Sequence, residues 1–161
     1  MATVALSYAS AVAMTVTALH SNASSATAAW ASAVVDNTSN LYVDALVQVV
    51  LDFANTAPAN DKAVYVYAYG GIETGVYSNP VSGTEGDATL ADFTTNAQNI
   101  RLVGVVPYTT QDEVAESSPM SVANAFGGIL PAFWGIAIVN YSGAALAASG
   151  NTVKWRGVTI A

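Results

Sequence analysis

Hydrophobic and polar residues alternate with a period of two along most of this chain. In residues 62–71, "KAVYVYAYGG", Tyr65, Tyr67 and Tyr69 interleave with Val64, Val66 and Ala68. In residues 41–53, "LYVDALVQVVLDF", Leu41, Val43, Ala45, Val47, Val49 and Leu51 form one series, and Tyr42, Asp44, Leu46, Gln48, Val50 and Asp52 the other. Such alternation puts successive side chains on opposite faces of a strand. Asp44, Gln48 and Asp52 also share a helical spacing, but the run of valines favours a strand.

The same reading predicts strands in residues 13–19, around Trp30 in 27–35, in 100–109, in 134–143 and in 152–161. Residues 119–128, "PMSVANAFGG", read as a short strand or a helical turn. The breaks between them carry turn residues: "DNTSN" at 36–40, "ANTAPAND" at 54–61 and the acidic "TTQDEVAESS" at 109–118. Residues 71–99 form a long connection rich in Gly, Asn, Thr and acids, of the length that has a task or holds a strand of its own. Seven to eight strands without a convincing helix predict an all-β antiparallel sandwich. The long connections favour a jelly-roll over an immunoglobulin-like order. One domain is expected over 26–161, with residues 1–25 as an N-terminal arm or first strand. Trp30, Trp134 and Trp155 each fall in an apolar strand and are expected in or near the core.

Composition narrows the function. Of 161 residues, 53% are hydrophobic and only 9% charged, with eleven acids against four bases and a net charge of −7. About 25% charged is usual. Lys62, Arg101, Lys154 and Arg156 are the only Lys and Arg residues. Phosphate-backbone recognition needs clustered bases, so neither nucleic acid nor an anionic membrane is an expected partner. A surface of Thr, Ser, Asn and Ala is cheap to desolvate, which suits coverage by other protein chains; a secreted domain is the alternative. No basic stretch precedes the apolar start, which argues against a secretory signal. The apolar run 125–148 is long enough for a bilayer but contains Pro131, glycines, Asn140 and Ser142, and is read as a buried strand between turns.

The residues offer little catalytic chemistry. There is no cysteine and one histidine, His20, read as a solvent-facing residue at a strand end. No Gly-x-Ser-x-Gly elbow, phosphate loop or dinucleotide fingerprint is present, so no cofactor is expected. Paired carboxylates are the remaining option. Glu73, Glu85, Asp87 and Asp92 share the long connection, and Asp112, Glu113 and Glu116 another. A glycosidase needs two carboxyls on rigid walls. "GTEGDATLAD", 83–92, has oxygen ligands for calcium without the spacing of an EF-hand. Both groups read more simply as solvated loop acids. Sequons at Asn22, Asn37 and Asn140 are of the number chance supplies.

Several phrases together, "DNTSNLYVDALV", "KAVYVYAYG", "NIRLVGVV", "SVANAFGGILPAFWGIAIVNYSGAAL" and "VKWRGV", resemble small virion proteins of tailed bacteriophages. The likeness runs from about residue 36 to the end and carries no catalytic signature. It implies a non-enzymatic capsid decoration (cement) protein on the outside of the head, made in the host cytoplasm. Its partners would be the major capsid protein and copies of itself, as a dimer or trimer. A tail, fibre or head-spike module contacting the host, and a carbohydrate-binding sandwich, are the alternatives.

The tyrosine stripe connects these readings. Val64, Val66 and Ala68 are small enough for the middle of a sandwich and are expected inside. Tyr65, Tyr67 and Tyr69 then face outward, covered by residues 71–99, by the N-terminal arm or by another subunit. They are the candidate interface, or, in the carbohydrate reading, a stacking platform.

Overall fold

A computed structural model describes residues 5–78, 81–89 and 100–160. It is an all-β sandwich of two antiparallel sheets. In chain order the strands are β1 (Leu6–Tyr8), β2 (Val12–Ala13), β3 (Ala28–Ala31), β4 (Val35–Asp36), β5 (Asp44–Asp52), β6 (Ala63–Gly71), β7 (Gly86–Thr89), β8 (Arg101–Pro107), β9 (Val114–Glu116), β10 (Met120–Ser121), β11 (Phe133–Tyr141) and β12 (Thr152–Ile160). One helical turn, α1 (Val122–Ala125), follows β10.

The first sheet runs β1-β12-β5-β10, with β2 beside β1 along β12 and β9 beside β10 along β5. The second runs β7-β3-β11-β6-β8, with β4 extending β3 along β11. Three positions, both edges of the first sheet and the one beside β11 in the second, are thus each filled by two short strands. The pairings nest: β1 with β12, β3 with β11, β5 with β9 and β10, and β6 with β8. Besides β2 and β4, which extend these pairs, there is β7, which lies inside the long connection 71–99 and pairs with β3.

The core is what alternation dictates. β5 contributes Ala45, Val47, Val49 and Leu51, and β12 contributes Val153 and Trp155. The second sheet answers with Trp30, Val64, Val66, Ala68, Trp134, Ile136 and Ile138. Trp134 and Trp155 meet edge to face, 5.2 Å between centroids at 89°. All three tryptophans lie in this core. The run 125–148 holds β11 with turns on both sides, and no helix among the described residues is long and apolar enough to cross a membrane.

Two local expectations differ. Residues 13–19 do not form a strand: after Val12–Ala13, only Met14 N continues the pairing, donating to Val153 O at 2.9 Å, and the chain then turns through Leu19 and His20 onto Val16 O. The alternation persists as a strap, with Met14, Val16 and Ala18 packed on the core and Thr15 and Thr17 exposed. Leu41 and Val43 do not join the inner face of β5. Leu41 has φ 54° and is exposed, because the turn before it is closed by Asn37, whose side chain accepts from Tyr42 N and donates to Tyr42 O. Tyr42 instead packs on the core, edge-on to Trp155 and over Gly157, where a side chain would occupy its ring.

Residues 119–128 are both things predicted of them. β10 leads into α1, whose N-cap Ser121 accepts from Asn124 N, and Gly127 and Gly128 follow at φ 79° and 96°.

Candidate functional site

β6 is the strand on which the two faces of the second sheet are decided. Val64, Val66 and Ala68 point into the sandwich and are fully buried. Tyr65, Tyr67 and Tyr69 stand on the outer face, as the alternation requires, but their surroundings differ.

Tyr69 is 0% exposed. The chain after β6 folds back over it and builds a second, smaller core on the outer face, from Tyr69, Val81, Ala88, Ile100, Ala29, Ala31, Ala137 and Val139, with Tyr77 packed against it. Tyr77 meets Tyr69 edge-on at 6.2 Å. The Tyr69 ring lies across Gly135, its register partner on β11, and a Cβ there would fall inside the ring. Its hydroxyl donates to Ser32 O at 2.7 Å, and Ser32 Oγ accepts from Ile136 N at 3.0 Å. Burial pushes the phenol up to about 12, opposed by the Ser32 hydrogen bond. Part of residues 71–99 therefore covers the end of the stripe, and a partner that docks on this face meets Tyr65 and Tyr67 rather than Tyr69.

Tyr65 and Tyr67 are half-buried. Tyr65 donates to Asp61 Oδ2 at 2.8 Å, and that bond to a carboxylate raises the phenol pKa. Burial raises that of Tyr67. Directly across the ladder, Val105 faces Tyr65 and Leu102 faces Tyr67, on either side of a bulge between Val66 and Tyr67. Val105 is 47% and Leu102 52% exposed. Two aromatic–aliphatic cross-strand pairs thus form an apolar strip at one edge of the outer face. In the sequence, Leu102 and Val105 read only as members of an apolar strand. The bulge, which puts both on the same face although they are three apart, has no clear sequence signal.

The carboxylates are dispersed. Glu85 accepts from Trp30 Nε1 at 2.7 Å and from Ala18 N at 2.8 Å, with the same Oε1. It ties the strap and the long connection to the core, a role its acidic, Gly-rich neighbourhood did not suggest. Asp87 is exposed on β7, Glu73 lies in a turn closed by its bridge to Val76, and Asp92 is outside the described residues. Glu113 Oε2 accepts from the amides of Thr110 and Thr109, which lower its pKa. Glu116 sits on β9, opposite Val50. Among the described residues no three His, Cys, Asp or Glu side chains stand close enough to hold a metal.

His20 is half-buried in the turn after the strap, not at a strand end, with Asn151 Nδ2 3.1 Å from its Nδ1. Asn37 and Asn140 are buried and engaged with backbone: Asn140 Nδ2 donates to Ala144 O and Asn22 O. Those two sequons serve turns inside the protein.

A concave surface lies on the opposite sheet. On the outer face of β12 and β5 a hollow of about 360 Å³ is lined by Tyr8, Leu46, Gln48, Pro119, Lys154 and Arg156, among others. Two of the four Lys and Arg residues of the chain meet there. No family model matches the chain, and neither a curated protein nor a solved structure matches it.

Proposed function

We propose that this is a non-enzymatic structural protein of a phage virion, a decoration protein that binds the outside of the head shell and reinforces it through protein–protein contacts. The observation that carries the reading is the strip of Tyr65, Val105, Tyr67 and Leu102 on an otherwise weakly charged sheet face. Apolar side chains grouped on one face, with aromatic residues among them, are what contact surfaces present. The sequence resemblance points the same way. The partners on this reading are the major capsid protein and further copies of the chain, as a dimer or trimer.

The strand order supports a jelly roll. On this reading the four nested pairs, divided so that one sheet takes β1, β12, β5 and β10 and the other β3, β11, β6 and β8, would be the double Greek key, with β7 added at one edge. Jelly rolls serve both capsid and lectin domains, so fold alone does not choose between them. The sugar-platform reading of the stripe is weakened by the burial of Tyr69 and by the Asp61 bond to Tyr65. A tail, fibre or spike location is distinguished by copy number.

The test is direct. Purified particles should carry this chain at a copy number approaching that of the major capsid subunit, with density over the capsid lattice in an electron cryo-microscopy map. A few copies confined to the tail, or none on the particle, would overturn the reading. Leu102→Glu with Val105→Lys should leave the isolated protein folded and abolish binding to shells that lack it.

A further inference from the structure

The hollow on the first sheet is independent of the strip on the second, and it collects unlike groups. β12 supplies Lys154 and Arg156, two positions apart and on the same outer face. In the ladder Gln48 stands opposite Lys154 and Leu46 opposite Arg156. The segment from β1 to β2 supplies Tyr8, and Pro119 comes from the link between β9 and β10. β1 and β2 both pair with β12, at Val158 and beyond and at Trp155 and Lys154, so residues 9–11 stand beside Arg156 as a rim.

Among the described residues neither cation has an ion-pair partner. Asp44, the acid on the same face of β5 nearest Leu46 in sequence, is committed elsewhere. Its Oδ1 accepts from Ala123 N and Ala45 N, and its Oδ2 from the Ser121 hydroxyl. Gln48 donates its amide to Ser117 O at 3.0 Å, leaving its side-chain oxygen as an acceptor. In a chain of net charge −7, a pair of adjacent bases creates a local field opposite to that of the rest of the surface.

The lining narrows the class of ligand. A simple anion would use the cations and leave Tyr8, Leu46 and Pro119 facing water. An apolar ligand would strand two charges. A volume of about 360 Å³ lies near the lower end of small-molecule sites, roughly 300–1,000 Å³, which suits one ring rather than an extended peptide. We propose that this hollow binds a single carboxylated sugar ring, with the carboxylate on Arg156 and Lys154, a ring face on Tyr8 and a hydroxyl on Gln48. Arg supplies the forked donors that match a carboxylate. The site stands on geometry separate from the virion reading and does not need it. A free sugar and the end of an acidic polysaccharide both present this group.

The test is an amide-resolved NMR titration of the full chain with D-glucuronate, with D-glucose, sodium acetate and inorganic phosphate as comparisons, and with an oligogalacturonate as the polymeric source. Glucuronate should give saturable shifts confined to residues 8–11, 46–48 and 154–156. Glucose and acetate should each bind at least tenfold more weakly. Arg156→Ala and Lys154→Ala, both exposed positions, should each weaken glucuronate at least tenfold, and Tyr8→Ala should weaken glucuronate more than acetate. Tighter binding of the oligomer would identify a polysaccharide end as the source, and equal binding the free sugar. Equal affinity for phosphate, acetate and glucuronate, or glucuronate binding unchanged in Arg156→Ala, would overturn the proposal.

Discussion

The indole N–H of Trp30 donates to Oε1 of Glu85 at 2.7 Å, across 55 positions of sequence. The same oxygen receives the backbone amide of Ala18. One partly buried carboxylate therefore ties the strap at Ala18 to the paired strands β3 and β7. Glu85→Ala leaves a buried indole N–H without its acceptor, at a cost of about 1–3 kcal/mol. Glu85→Gln keeps an oxygen there and should lose less. Urea unfolding of the two variants checks the order.

Trp134 offers the contrast. Its indole nitrogen is buried without a hydrogen-bond partner, so Trp134→Phe removes ring volume but no hydrogen bond. Trp30→Phe removes both. The Trp30 variant should be the less stable by about 1 kcal/mol, the usual net worth of one hydrogen bond. Chemical denaturation of both proteins under one condition decides it.

Gly135 and Tyr69 are matched. Gly135→Ala places a methyl group where the Tyr69 ring lies, and overpacking of this kind costs about 1–3 kcal/mol. Tyr69→Leu alone loses the Ser32 hydrogen bond and part of the second core. In combination the two should cost less than the sum of the single changes, since the smaller side chain makes room for the methyl group. A double-mutant cycle measures the coupling.

Alkaline stability follows from the same ring. The folded-state pKa of Tyr69 is raised to about 12, above the ordinary value near 10. Between these values the folded state holds a proton that the unfolded state has released, so stability falls as pH rises through that window. The stabilisation is complete below pH ~10 and is lost as pH passes ~12, an effect of roughly 2–3 kcal/mol. Urea midpoints between pH 8 and 12 should fall less steeply in Tyr69→Phe than in the wild type. Equal slopes would show that the phenol does not drive the loss.

How much of this was legible depended on whether a signal was local. The alternation in residues 62–71 placed Val64, Val66 and Ala68 inside and the tyrosines outside, because a strand's period is enforced by its own backbone. The same alternation in residues 13–19 gave the right buried and exposed positions but the wrong element, since pairing depends on a neighbour and Val153 O is the last carbonyl of β12 that this segment reaches. Leu41 misled for a related reason: its place in the apolar series was local, whereas the Asn37 clasp that turns it outward is not written in the period. The basic hollow could not be read at all. Lys154 and Arg156 were visible, but Tyr8 and Pro119 reach them only through the sheet order.

The pairing of β1 with β12 brings Leu6 against Ile160. Contacts so distant in sequence must close a very long loop, which makes folding slow. On the ribosome, residues 6–8 have been made long before 152–160 exist to receive them. Until then β5 has an open edge where β12 will lie, and neither the first sheet nor the hollow on it can be finished. A partly synthesised chain thus lacks that surface altogether, and whatever binds there can engage only molecules whose synthesis has passed residue 160.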